Sequence, residues 1–502
     1  MNLIRKNVSL FVVRGLKLKI ENEKRIETYS GHNKITKCYG FGVTATGALG
    51  IKDNIVPGRN PKLLKKIAVS LPIRIKYFHE KQLNLKKVAC GYGFSLFLSS
   101  KGSNNFIHGT GINSDGQLGS HSDCIVNDNY GISVNAIPAE ISFENHVDMK
   151  KYKLTNAELA AGRAHSLISC EFQNRTQPNE KICHLFSLGN NSFGQCGRKI
   201  IPGEVFSNEN SLVYKLNLPE EIFPIKKVVC GQDHSLILTS SGHVYSCGIG
   251  SDGQTGLGTY DNIDSFSRVL GSIENVKIKD LSSKGDTVLA LSECNKLFIW
   301  GNNEYGQIFS ANYKEDGPYK EFKAPPPDYI QYSMPVELNL SHENIIVPEE
   351  AGIDSKEPDM ILGKINSIAC TGSMCAFLDS YGKVFVWGFG FPGLGPDVNY
   401  TPRPTLIPPG LFAPAFAHSK DPRSHLTNLT SGLHHFIAYS TTLGQAFSWG
   451  TSRSGISCLG IGNDSFSDVK AQTYPEKIII PASVTQVDCG VDHTIVLAES
   501  FD

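Results

Sequence analysis

One short motif returns along this chain, and its recurrence restricts the fold more than any other feature. Residues 229–239 read VCGQDHSLILT. Related runs begin at Ala89 (ACGYGFSLFL), Ala160 (AAGRAHSLIS), Ala369 (ACTGSMCAFL), Thr430 (TSGLHHFIAY) and Asp488 (DCGVDHTIVL), with a diverged copy, SSKGDTVLAL, at Ser282. The pattern is small–Cys/Ser–Gly–x–x–His–Ser/Thr–aliphatic, and its third position falls at Gly91, Gly162, Gly231, Lys284, Thr371, Gly432 and Gly490. A second motif is interleaved with the first: an aromatic, x, Trp or a substitute, Gly, then a polar run ending in Gly-Gln-x-Gly. Its anchor glycines are Gly42, Gly109, Gly189, Gly248, Gly301, Gly388 and Gly450, and Trp300, Trp387 and Trp449 each precede one of them. Repeats of this period specify a solenoid, a propeller or an array.

Spacing selects the propeller. From first anchor to following second anchor the distance is 17 or 18 residues in five of six pairs, the exception (162 to 189) carrying a polar insert around NRTQPNEK. Inside that unit lie two alternating apolar runs joined by a Gly turn, as in HSLILTSSGHVYSCG, which is the pattern of a β-hairpin. The return distances vary from 36 to 70 residues and hold the loops. One four-stranded blade per repeat gives an all-β, seven-bladed propeller. The chain starts with an unpaired second motif (YGFGVTATGALG) and ends with an unpaired first motif (DCGVDHTIVLAES). Joined, they would complete the seventh blade and remove two exposed sheet edges.

The pairing of x-C-G-x-x-H-[ST] with [FY]-x-W-G-x-N-x-x-G-Q-L-G resembles the regulator of chromosome condensation repeat over roughly residues 36–500. The runs ACGYGFSL, GNNSFGQCGRK, VCGQDHSL, YSCGIGSDGQTGLG and DCGVDHTIVLAESF are similar to the mitochondrial branch of that family. The resemblance implies a protein partner, with guanine-nucleotide exchange on an organellar GTPase as the activity. The alternative it carries is a non-catalytic scaffold or assembly factor for the mitochondrial ribosome that contacts ribosomal RNA. In the founding exchange factor, residues of the first-motif loops face the GTPase. Carried over position by position, these are Arg163, Gln232, Asp233, Asp286, His434 and Asp492, the partner-binding rim. Location in the matrix, or peripherally on the inner membrane, is part of the same expectation.

Residue chemistry bounds these readings. The recurring His165, His234, His435 and His493 are read as buried scaffold hydrogen-bonded to neighbouring backbone, whereas the residue before each varies and is free to specialise. GIGSDG matches a dinucleotide fingerprint, but equivalent turns recur as GTGINSDG and GNNSFG with no helix pattern following, so its glycines serve turns. No Gly-x-Ser-x-Gly, His-Glu-x-x-His or paired-carboxylate signature points to a hydrolase. No cofactor and no metal site are expected. Lys+Arg and Asp+Glu are equal at 48 each, without the basic excess that phosphate-driven DNA binding needs, so DNA is not an expected partner. The 13 cysteines lack Cys-x-x-Cys spacing and read as reduced core residues. No apolar run reaches the 18 residues of a membrane span.

Two segments stand outside the repeat. Residues 310–360 carry 11 acids against 4 bases, with APPPDYI and VPEEAGIDSKEPD inside, and read as an acidic, Pro-rich surface excursion. Residues 1–30 read as a mitochondrial presequence or a basic tail: the first carboxylate is Glu21, and Arg5, Lys6, Arg14, Lys17 and Lys19 alternate with Leu, Phe and Val. Residues 1–20 fused to a fluorescent reporter are therefore expected to carry it into mitochondria. A diffuse cytosolic or nuclear signal would reject the presequence.

Overall fold

The computed structural model describes residues 34–51, 68–119, 125–127, 132–203, 213–309, 331–351, 362–413, 425–452, 455–462 and 470–501. These residues form seven antiparallel sheets, six of four strands and one of five. In blade 3 the strands Ile225–Cys230, His234–Thr239, Val244–Gly248 and Ile263–Arg268 follow one another from the inside out. Blade 1 begins at Asn84, blade 2 at Tyr152, blade 4 at Ile278, blade 5 at Ile365 and blade 6 at Asn428. Blade 7 is shared between the termini. Lys34–Val43 lies between Ala68–Arg74 and His493–Phe501, paired with the latter from Lys34↔Phe501 to Gly42↔His493, and Ser483–Cys489 is the innermost strand.

Burial follows strand position. The second and third strands of blade 3 are buried at every residue, while its outer strand is buried at none. A strand packed against a neighbouring blade on each face needs an unbroken apolar run, whereas an outer strand meets water. The core consists of seams between blades. Leu289 and Ile299 of blade 4 pack with Phe377 and Trp387 of blade 5, and Tyr39 and Phe41 of blade 7 pack with Ile437 of blade 6. The innermost strands of all seven blades line a central cavity of about 260 Å³.

The second-motif glycine is required by register. Gly248 pairs with His234, adopts φ +111°, and a Cβ there would stand 2.5 Å from the Asp233 carbonyl oxygen. The same pairing places Gly42, Gly189, Gly301, Gly388 and Gly450 in their blades. In blade 1 the equivalent is Gly111, opposite Phe94 with φ +112°, not the Gly109 expected from spacing. The hairpin Phe94–Lys101/Asn104–Ile112 is longer than its counterparts in blades 3 to 6 and moves the anchor two residues on.

The segment 310–360 also differs from its reading as an excursion. Tyr332–Leu338 is the outer strand of blade 4, and Leu338 and Ile345 are buried against the Trp387 cluster. Residues 310–330 and 352–361, like the presequence region, lie outside the described residues. The twelve described cysteines are free thiols, ten of them buried. No helix among the described residues is long and apolar enough to cross a membrane.

Deleting residues 486–502 removes the His493–Phe501 strand together with most of Ser483–Cys489, and leaves Lys34–Val43 without its inner partner. The truncated chain is expected to lose its cooperative melt and aggregate. A monomeric product with an unchanged melting temperature would refute closure as the source of stability.

Candidate functional site

The first-motif loop is built around its histidine. At Gly162 a Cβ would stand 2.3 Å from His165 Cε1, and at Gly231, Gly432 and Gly490 it would stand 2.0, 2.1 and 2.3 Å from the Cε1 of His234, His435 and His493. The imidazole lies on the backbone of its own loop, and only glycine leaves it room. In blade 1 the Phe94 ring fills that space and Gly91 is kept. In blade 4 the histidine is replaced by Thr287 and the glycine by Lys284, so glycine and histidine disappear together.

Each imidazole then reaches the next blade. His165 Nε2 lies 3.0 Å from Ser235 Oγ, His234 Nε2 3.2 Å from Ser283 Oγ, His493 Nε2 2.9 Å from Ser95 Oγ, and His435 Nε2 3.5 Å from Thr494 Oγ1. The partner is thus a hydroxyl across the seam, not the neighbouring backbone expected from sequence. Burial lowers all four histidines to about 3, so they are neutral at pH 7. Backbone bonds join the same loops: Tyr92 N–H donates to Gly162 O, Arg163 N–H to Gln232 O, Gln232 N–H to Gly285 O and Gly372 N–H to Leu433 O. The tryptophans add further ties, with Trp300 Nε1 donating to Gln254 O (3.1 Å) and Trp387 Nε1 to Gln307 O (2.5 Å). Trp449 Nε1 is buried without an acceptor, where the preceding blade has GFPGLG in place of the Gln turn.

On this framework the variable position carries the site. Arg163 of blade 2 grips Asp233 of blade 3 with two bonds, Nε to Oδ1 at 3.2 Å and Nη2 to Oδ2 at 2.5 Å. Asp233 is buried, at 6% exposure, and is not the open rim carboxylate that the sequence suggested. Burial raises its pKa, opposed by Arg163, while Asp115 pushes it further up. Asp286 of blade 4 accepts Gln232 Nε2 at 2.8 Å and Gln254 Nε2 at 3.3 Å, and it remains partly exposed. Burial, then the charges of Asp252 and Asp233, lift Asp286 to about 6. Four of the six nominated residues therefore form one network over blades 2 to 4. His434 and Asp492 occupy the same loop position in blades 6 and 7, both half-buried.

Sequence reasoning missed Asp115 and Asp252. Both stand in the run Ser-Asp-Gly-Gln, Ser114–Gln117 and Ser251–Gln254, where blades 2 and 4 have Phe193 and Tyr305. It also treated Lys284 as a decayed glycine. Lys284 Nζ crosses the channel to Cys90 O at 2.8 Å and lies 3.9 Å from Asp488 Oδ2, while Tyr92 Oη donates to Lys284 O at 3.0 Å. Among the described residues no group of three or more His, Cys, Asp or Glu is arranged to hold a metal. What the face can do chemically is present fixed carboxylates and one guanidinium to another macromolecule.

The description "Regulator of chromosome condensation (RCC1) repeat" matches residues 184–238 and 444–497, and a second RCC1 repeat description matches 225–254. The mouse RCC1-like G exchanging factor-like protein is 33% identical over 469 residues, 93% of this chain and 88% of that one. The crystal structure of human WBSCR16 superposes with a TM-score of 0.71 at 32% identity, covering 93% of this chain and 100% of that one. Prp20p from Saccharomyces cerevisiae shares the fold, with a TM-score of 0.62 at 20% identity over 95% of this chain and 94% of that one.

The glycine–histidine link can be tested by a double-mutant cycle in blade 2. Gly162→Ala overpacks the loop and His165→Thr empties it, each expected to cost about 1–3 kcal/mol. Together they mimic blade 4 and should cost less than the sum by at least about 0.5 kcal/mol. Strictly additive losses in urea melts would show that the imidazole does not select glycine.

Proposed function

The chain belongs to the family of RCC1-like G exchanging factor-like proteins, and from that premise we propose that it acts in mitochondria as a guanine-nucleotide exchange factor for an organellar GTPase. The observation that carries the choice of surface is the group of carboxylates Asp115, Asp233, Asp252 and Asp286, close enough that the charge of Asp115 raises the pKa of Asp233, and those of Asp252 and Asp233 raise that of Asp286. Arg163, the cation built into this group, is occupied by Asp233. Such a face favours a basic protein surface over a phosphate backbone, which supports the exchange reading over the ribosomal-RNA scaffold.

An exchange factor of this kind needs no nucleophile. Its rim binds the nucleotide-free GTPase more tightly than the loaded form, and by linkage the complex binds nucleotide more weakly. A rigid rim suits this role: loops tied across the seams do not reorganise on binding, so association loses little to ordering.

Asp286 separates binding from folding. Its folded-state pKa, about 6, lies above the ordinary carboxylate value, so its contribution to stability is fully present at low pH and lost as pH rises through about 6. At pH 7 Asp286→Asn is therefore expected to melt no lower than wild type. The same variant should weaken capture of a nucleotide-free mitochondrial GTPase on the order of tenfold and slow release of its labelled GDP. Unchanged capture and exchange would remove this face from the mechanism. Exchange by no mitochondrial GTPase, with ribosomal RNA recovered instead, would favour the scaffold.

A further inference from the structure

Inner hairpins of different blades repeat one facing pair beside the rim loop. In blade 1 the pair is Cys90 and Ser95, and in blade 3 it is Cys230 and Ser235, with Oγ and Sγ 3.8 Å apart in both. In blade 7 Cys489 faces Thr494. Blade 5 departs from this rule. Cys375 takes the hydroxyl position opposite Cys370, and the two sulfurs stand 3.4 Å apart, both fully buried.

The backbone register suits a bond between them. Thr371 N–H donates to Met374 O at 2.8 Å, which makes 371/374 the hydrogen-bonded pair and 370/375 the adjacent non-hydrogen-bonded one. Residues facing at such a site have Cα atoms about 4.5 Å apart, inside the roughly 4.4–6.8 Å that a disulfide spans. We propose that Cys370 and Cys375 are a redox modification site, a dithiol that closes to an intramolecular disulfide within the folded propeller.

With hydrogen peroxide as oxidant the step balances. One thiolate attacks a peroxide oxygen and becomes a sulfenic acid as water leaves. The second thiol attacks that sulfur, the S–O bond breaks, and a second water leaves. Two thiols have then lost two electrons and two protons, and the sulfurs have closed from 3.4 Å to about 2.05 Å. Burial holds the Cys375 thiol well above its usual range, and no sulfur surface is open. The pair therefore reacts when the hairpin opens, under sustained oxidant rather than a brief pulse. The bond would lie directly beneath Thr371–Met374, the blade 5 loop whose Gly372 N–H donates to Leu433 O of blade 6 and whose Gly372 O accepts Gln307 Nε2 of blade 4. Oxidation would thus fix the loop that ties three blades.

The full chain should be incubated with hydrogen peroxide or diamide under native conditions, denatured, and its free thiols alkylated before digestion and mass spectrometry. The peptide spanning 370–375 is expected without alkyl groups and lighter by two hydrogens, reverting on reduction, with the melting transition retained. Cys375→Ser installs the residue that blades 1 and 3 already use and should abolish the linkage. Cys294→Ser removes the exposed thiol and should leave the linkage intact. Full alkylation of both cysteines after prolonged oxidation of folded protein, or a linkage from Cys370 to another cysteine, would overturn the proposal. Should Cys375→Ser fail to fold, the wild-type and Cys294→Ser peptide maps decide alone.

Discussion

An uncharged imidazole pressed onto a glycine and reaching a hydroxyl of the next blade is the contact on which this ring depends. It resolves a conflict built into any propeller. Inner strands converge on a narrow channel, where backbone crowds backbone and little apolar area is available to hold blades together. A histidine placed there satisfies a polar group across four of the seven seams without charge, and its cost is the glycine that makes room. Blade 4 shows the constraint relaxed: with Thr287 in place of the imidazole, position 284 accepts a lysine long enough to cross the ring. The repeat is thus a record of pairwise physical requirements, and where one partner changes the other is released.

Much of the architecture was legible because each repeat declares its own register. The 17- to 18-residue unit, the Gly turns and the two orphan half-motifs were sufficient to predict seven blades and their closure. The blade 1 anchor slipped because FIHGTGI offers Gly109 and Gly111 on one face of a strand, and a period of two cannot choose between them. The outer strand Tyr332–Leu338 was hidden by its surroundings, since an edge strand needs few apolar residues and sits beside an acidic, Pro-rich run.

The site was less legible, for a different reason. Repeat position sets Arg163, Gln232, Asp233 and Asp286 in equivalent loops of successive blades, but it does not say which of them touch. Asp233 is buried because a guanidinium from another blade, 70 positions away, covers it. Asp115 and Asp252 could have been found by comparing Ser-Asp-Gly-Gln with the aromatic at the same place in blades 2 and 4. Lys284 could not: its acceptors lie on blades 1 and 7, and no local pattern names them.

The terminal pairing Lys34–Val43 with His493–Phe501 has a consequence in time. The third strand of blade 7 leaves the ribosome long before its neighbour is made. At ~5–20 residues per second, on the order of a minute separates the two. Throughout that interval six blades can be present as an open arc, with Phe41 and Tyr39 waiting for a partner not yet synthesised. Whatever shelters that edge during synthesis acts on a ring whose closing strand is made long after the strand it pairs with.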